Sequence, residues 1–365
     1  MSAPVIEFED ASFTYAGADE ASVQKVSLTV EAGECVVLCG RSGCGKTTLT
    51  RLANGLAGGF WEGTRAGAVR VEGRNVDELE EWQLAEHIGS VFQNPRTQFF
   101  NLDTTGEIAF ALENLGVPRD EMHARVARVA DELGATDLLD RSIFKLSGGQ
   151  MQSIAFASVS VCEPRAYVLD EPSIGLHPRD NERLIDTLRS LQGRGNTVLV
   201  VEHDEATIRE ADHIIELGPG SGAHGGDMVY HGSFENLIKH SETLTAKYMR
   251  GDLSVPIPDE RREPKGWLTL RGVTTNNLKD IDCPIPLGTL TCVTGVSGSW
   301  WTRCTSTSRW RRASAWISQA ASGASTAWRP SSASWPSIRR PSDARRGPTR
   351  LPTPRSSTRS ATSSP

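Results

Sequence analysis

The apolar and polar positions fall into short continuous runs and longer amphipathic stretches. "CVVLC", Cys35 to Cys39, is an apolar run suited to a strand buried on both faces. Tyr167 to Leu169 form a similar run that ends in two carboxylates. Strand-like runs also lead into Gln93 in "VFQNP" and His203 in "VVEHD". Between them, "TGEIAFALENLG" and "DEMHARVARVADELGA" repeat apolar residues at spacings of three and four, which predicts helices. The alternation predicts an α/β fold. A mixed sheet edge at 5–40 and 66–73 should lie beside a mostly parallel core with helices on both faces. A small helical arm should occupy about 95–160.

The chemistry sits where these runs end. The first opens into G-x-x-x-x-G-K-T, Gly40 to Thr47, and then a helical stretch to about Gly55. Glycines let backbone N–H groups curl around phosphate oxygens, and a helix N-terminus adds partial positive charge. The phosphate-binding candidates are Gly40, Ser42, Gly43, Gly45, Lys46, Thr47 and Thr48. Lys46 would reach the β- and γ-phosphates, and the Thr47 hydroxyl would ligate Mg²⁺. After the second run, Asp170 is positioned to hold Mg²⁺ through water and Glu171 to orient or deprotonate the attacking water. Gln93 and His203 are placed to sense the γ-phosphate and the metal, with Gln93 a candidate metal ligand.

Leu146-Ser147-Gly148-Gly149-Gln150 opens another helix with a glycine pair, a second anion-binding end. One domain needs only one such end, so Ser147, Gly148, Gly149 and Gln150 should serve a nucleotide held by another domain.

Composition divides the chain at about residue 299. Residues 300–365 contain 12 Arg, no Lys, no Glu and one Asp, a charge of +11, against −6 for the whole chain. The remaining residues therefore carry −17. The same segment holds six of the nine Trp, one Leu, and no Val, Phe or Tyr. No apolar run approaches the ~18–20 residues of a membrane span. The seven Cys include no C-x-x-C pair, so neither zinc nor a disulfide framework is indicated, and Cys35 and Cys39 read as core filler. A soluble body in a reducing, cytoplasmic setting is expected.

Gly40–Thr47, Gln93, Leu146–Gln150, Asp170–Glu171 and His203 together resemble the ATP-binding cassette (ABC) ATPases. The resemblance covers residues 5 to about 232. It implies a P-loop NTPase fold of the ABC type with a small helical subdomain. ATP would be sandwiched between two cassettes, each giving its phosphate loop to one site and its signature segment to the other. Tyr15, in "SFTYAG", matches the aromatic that stacks on adenine in that family.

Two branches of the family are represented. Residues 1–166 resemble the ATPase subunits of energy-coupling-factor and cobalt-type importers, through "VFQNPRTQFFNLDTTGEIAFALENLGVP" and "RSIFKLSGGQMQSIAFAS". Residues 167–299 resemble the A subunits of bacterial excinucleases, through "YVLDEPSIGLHPRDNERL" and "TNNLKDIDCPIPLGTLTCVTGVSGS". Those subunits insert partner- and DNA-binding modules between phosphate loop and signature. Here only 100 residues separate Lys46 from Ser147.

A second cassette begins after a linker at 233–266. A shift of 255 places Gly33 on Gly288, Gly40 on Gly295, Ser42 on Ser297 and Gly43 on Gly298. Gly45 and Lys46 then fall on Trp300 and Trp301. Trp has the single codon TGG, and "WWTRCT" read in a shifted frame gives a plausible start for the helix after a phosphate loop. A short deletion with a frameshift is therefore expected. It leaves a truncated second cassette at 267–299 and a disordered, out-of-frame tail at 300–365. The rival reading of the tail is a basic nucleic-acid-binding arm.

The leading expectation is ATP binding and hydrolysis by a peripheral cytoplasmic subunit that drives a membrane importer of the cobalt or vitamin type. A second cassette and a membrane-embedded subunit would be its partners, with DNA contacted only through the tail. The alternatives are a fragment of an excinuclease A-subunit ATPase and a non-functional fusion product.

Overall fold

The computed structural model describes residues 4–274 and 278–292. Its first sheet is antiparallel, in the order β2-β1-β4-β5, from β1 (Ile6–Tyr15), β2 (Val23–Val30), β4 (Gly63–Val71) and β5 (Arg74–Asn75). Val23, Val26, Leu28 and Val30 of β2 are buried, while Gln24, Lys25, Ser27 and Thr29 face solvent. One wet face and one dry face suit antiparallel pairing. The two adjacent polar residues mark an irregularity in the ladder, where Lys25 adopts a φ of 44°.

The second sheet runs β10-β9-β3-β8-β7-β6. Its strands are β3 (Cys35–Gly40), β6 (Ile88–Val91), β7 (Ala166–Asp170), β8 (Thr197–Val201), β9 (His213–Gly218) and β10 (Asp227–Gly232). All neighbours are parallel except β10 on β9. This corrects the expected sheet edge at 5–40, because residues 35–40 lie at the heart of the parallel sheet. The reason is in the residues: "CVVLC" has no polar alternation and is buried throughout, which a sheet with one wet face cannot use.

Helix α1 (Lys46–Ala53) lies between the sheets. Its Leu49 and Leu52 join Val36, Leu38 and Val168 of one sheet and Ile6, Phe8 and Phe13 of the other. On the opposite face, α6 (Pro178–Gly193) buries Leu184, Leu188 and Leu191 against Val37, Leu169 and Val200. Shorter helices α2 (Glu81–His87) and α7 (Glu205–Glu210) lead into β6 and β9. The helical arm has its own core. There α3 (Thr104–Asn114), α4 (Arg119–Glu132) and α5 (Gly148–Ser160) meet through Ile108, Leu112, Val126, Val129 and Ile154. Ala155 and Phe156 of α5 pack instead on the parallel sheet. This helix therefore ties the arm to the body.

The stretch expected to be a linker from residue 233 begins with α8 (Phe234–His240) and α9 (Leu244–Arg250). Leu237 and Ala246 seal the parallel-sheet core, which holds the chain there. Residues 251–265 form neither helix nor strand and are largely exposed. Within the expected second-cassette start, β11 (Gly266–Val273) and β12 (Ile281–Leu287) form an antiparallel hairpin. Residues 293–365, with Gly295, Ser297, Gly298, Trp300, Trp301 and the basic segment, lie outside the described residues.

Candidate functional site

Strand β3 delivers the chain to the turn before α1, and the turn needs glycine at three places. Gly40, Gly43 and Gly45 have φ values of 127°, 78° and 104°. A Cβ on Gly40 would stand 2.2 Å from the Leu217 carbonyl oxygen, and one on Gly45 2.3 Å from that of Ser22. The loop backbone therefore runs too close to Leu217 and Ser22 to carry a side chain at either position. No side chain caps α1, so its first N–H groups stay available to an anion. Lys46 is buried, with Nζ donating to the Gly40 and Arg41 carbonyls at 3.0 Å each. Its ammonium is thus held across the loop mouth.

The carboxylates arrive at the end of β7. Thr47 Oγ1 donates to Asp170 Oδ1 at 3.2 Å. Burial pushes the Asp170 carboxyl above its ordinary range, the like charge of Glu171 adds to this, and the Thr47 hydrogen bond opposes it. Gln93 Nε2, from the loop after β6, donates to Glu171 Oε2 at 2.7 Å. His203 Nε2, beyond β8, lies 3.0 Å from Glu171 Oε1. Glu171 itself has a φ of 45°, a backbone conformation that non-glycine residues adopt at some cost and that clusters at functional sites. Thr47, Gln93, Asp170, Glu171 and His203, expected in one site, therefore lie together.

A cavity of about 960 Å³ runs past Ser42, Lys46, Thr47, Gln93, Asp170 and Glu171 to Tyr15 and Thr48. The Tyr15 hydroxyl lies 3.2 Å from Thr48 Oγ1 and accepts from Arg51 Nη1 at 2.9 Å. The Arg51 guanidinium lies 4.3 Å from the centroid of the Trp61 ring, and Trp61 meets Tyr15 edge to face. Cys44 in the loop and Cys39 and Cys35 in β3 are buried. Burial, with Asp212 beside it, pushes the Cys35 thiol up to about 12, so it stays a neutral packing group.

The signature segment is elsewhere. Ser147 caps α5, its Oγ accepting from the Gln150 N–H at 3.3 Å while Gln150 Oε1 accepts from the Ser147 N–H at 2.9 Å. Ser147, Gly149 and Gln150 border a separate cavity of about 830 Å³, alongside Asp180 and Arg183. No residue lining it also lines the phosphate-loop cavity. The phosphate loop and Ser147–Gln150 thus border different cavities.

Residues 23–174 match the family model described as "ABC transporter". The chain contains an ABC ATPase domain. It is 43% identical over 225 residues to a Treponema denticola protein described as an ABC transporter ATP-binding protein, covering 61% of this chain and 46% of that one. It is 52% identical over 164 residues to the UvrABC system protein A of Methanothermobacter thermautotrophicus, covering 44% of this chain and 17% of that one. The chain thus spans less than half the length of these curated relatives. The solved structure of cbiO1 from Clostridium perfringens, part of the ABC transporter complex cbiONQ, superposes with a TM-score of 0.56 at 25% identity, covering 65% of this chain and 91% of that one.

Two features of the ABC ATPase domain escaped the sequence reading. Arg51 and Trp61 frame the Tyr15 end of the cavity, yet they lie in a helix and a glycine-rich turn with no telling pattern. Glu202 is buried and accepts from Ser173 N and Oγ at 2.8 Å each and from His203 N at 3.0 Å. It ties the loop that carries Glu171 to His203. Its place between a buried strand and His203 in "VVEHD" was the available signal.

Proposed function

We propose that the chain binds MgATP in the Gly40–Thr47 cradle and hydrolyses it in partnership with a second cassette. The convergence of Gln93 and His203 on Glu171, next to the Thr47–Asp170 pair, carries this reading. Glu171 accepts the proton of the attacking water. Gln93 and His203, each within 3.0 Å, fix both of its oxygens and leave the carboxylate one productive orientation. Lys46 and the open N-terminus of α1 hold the phosphate charge that grows during transfer.

The donor set suits Mg²⁺, which takes hard oxygen ligands and leans on one or two carboxylates plus substrate phosphates. Thr47, Asp170 and the Gln93 side-chain oxygen would hold it, and the ion would neutralise phosphate charge. Ser147–Gln150 would complete the site of the facing cassette.

We further infer an energy-coupling role beneath a membrane importer, at the inner face of the cell membrane. Phe100, Leu102 and Phe144 stand exposed on and beside the helical arm and give it an apolar surface suited to a membrane-embedded partner. No described helix is long and apolar enough to cross a membrane. The cobalt or vitamin type of importer rests on the likeness of residues 1–166 alone. A second reading, an ATPase segment of excision repair, is favoured by the 52% identity to UvrABC system protein A. The short distance from Lys46 to Ser147 weighs against it.

The test is Glu171→Gln. The amide keeps the shape and cannot take a proton, so ATP should still bind while turnover falls by about 10²-fold or more. An ATP-dependent dimer should then accumulate on size exclusion. A variant that stays monomeric and turns over like the parent overturns the reading.

A further inference from the structure

Helix α5 buries Ile154, Ala155, Phe156 and Ala157, as a helix shared by two cores should. Gln152, two residues beyond the Ser147–Gln150 segment, is as deeply buried, at 5% exposed, yet polar. Its Nε2 donates to the Pro172 carbonyl at 2.9 Å, and its Oε1 is buried with no partner among the described residues. A buried amide satisfied at one end only is costly. An apolar residue would spare that oxygen but leave the Pro172 carbonyl bare, so the bond to Pro172 is what Gln152 supplies.

That carbonyl belongs to the same peptide unit as the Ser173 N–H, which donates to Glu202 Oε1 at 2.8 Å. One peptide plane is therefore gripped on both sides, by α5 and by the residue that follows β8. It begins one residue beyond Glu171, whose backbone needs support. Glu171 has a φ of 45° and precedes a proline, whose ring narrows the conformations open to the residue before it. The Glu171 N–H donates to the Val201 carbonyl at 3.0 Å, and its carbonyl accepts from the Ile174 N–H at 3.2 Å. Gln152 does not line the phosphate-loop cavity. It can act there only through this turn.

We propose that Gln152 is a positioning residue for hydrolysis. With Glu202 it fixes the Pro172–Ser173 peptide, and through it the left-handed backbone that aims the Glu171 carboxylate. Gln93 and His203 then hold oxygens that are already in place. The inference rests on the reading of Glu171 as the base. Without the Gln152 donor the peptide can turn, and the carboxylate spends less time aligned with the attacking water. Contacts to ATP are untouched. The effect therefore belongs in kcat and not in KM.

Gln152→Met keeps the length and loses the donor. It should lower kcat about five- to twentyfold, for one buried hydrogen bond lost with its carbonyl left bare, and change the KM for ATP less than about twofold. The decisive measurement is a double-mutant cycle in single-turnover hydrolysis. Added to Glu171→Gln, Gln152→Met should slow the residual reaction less than about twofold, because the carboxylate it serves is gone. The ATP-dependent dimer of Glu171→Gln should still accumulate. A merely structural role would slow both backgrounds alike. Should thermal melting show that Gln152→Met does not fold, Gln152→Asn takes its place in the cycle, keeping a polar amide but withdrawing it by one methylene. Parent-like kcat, an equal loss in both backgrounds, a raised KM with kcat kept, or loss of the dimer overturns the proposal. Parent-like turnover of Glu171→Gln overturns the base assignment itself, and this proposal with it.

Discussion

Helices α1 and α5 both begin after glycine-rich turns, yet their first residues do different things. At α1 the position before the helix is Gly45, left-handed and without a side chain, and nothing caps the end. At α5 the reciprocal Ser147–Gln150 pair satisfies two of the groups that a helix start leaves without partners. Lys46 adds a buried ammonium at the first end, and no Lys or Arg occurs among residues 146–152 at the second. A glycine pair before a helix is therefore only half of an anion site. In the proposed function the uncapped end carries the triphosphate, and the capped end adds a few directed bonds to one held elsewhere.

Removing the strongest element of the open end should show this most. Lys46→Ala takes away the charge nearest the site of transfer, and losing one such group costs ~10²–10³ in rate. Phosphate release at saturating ATP measures it. Hydrolysis within a few-fold of the parent would mean that this loop is not the catalytic cradle. Ser147→Ala should be milder. It removes the α5 cap, worth ~1 kcal/mol of stability. It should slow hydrolysis by about tenfold, the worth of one hydrogen bond to a charged group. Thermal melting separates the two effects. A loss equal to that of Lys46→Ala would place the two helix ends on a par and end the contrast.

Much of this arrangement was legible before any coordinates. "CVVLC" and "YVL" are short, wholly apolar and followed by chemistry, which identifies buried strands and places Gly40–Thr47 and Asp170–Glu171 at their ends. The buried strand read at Cys35–Cys39 is β3, and only the range 5–40 given to the sheet edge ran one strand too far. Residues 234–250 fell within the expected linker, and helices of seven residues have little intrinsic stability of their own. Leu237 and Ala246 gain their order from the core they close. Glu202 looked like any acidic residue after a strand, and only the approach of Ser173, 29 positions away in the chain, reveals a buried carboxylate with three donors. Separation of the signature from the phosphate loop was inferred from function. The two cavities give it a spatial form.

The smallest expected effect concerns the Tyr15 end of the open cavity. Tyr15 is held by two bonds to its hydroxyl, one of them from Arg51, and Arg51 is in turn held over Trp61. A base stacked on Tyr15 would therefore meet Trp61 as a side wall. Tyr15 and Trp61 make no hydrogen bond to Glu171 or Asp170, and of this group only the Arg51 charge is felt at Asp170, so the two aromatic rings should bind substrate and transition state alike. Such uniform binding appears in KM and not in kcat. Trp61→Ala removes an aromatic contact worth ~0.5–1.5 kcal/mol, which corresponds to a rise in the KM for ATP of about two- to tenfold. Arg51→Met, which keeps bulk but loses the bond to Tyr15 and the cation over the indole, should move KM the same way. Steady-state kinetics on both variants decides the point. A fall in kcat beyond a few-fold with KM unchanged would tie Trp61 to the phosphate end, and the division of the cavity into a gripping half and a reacting half would fail.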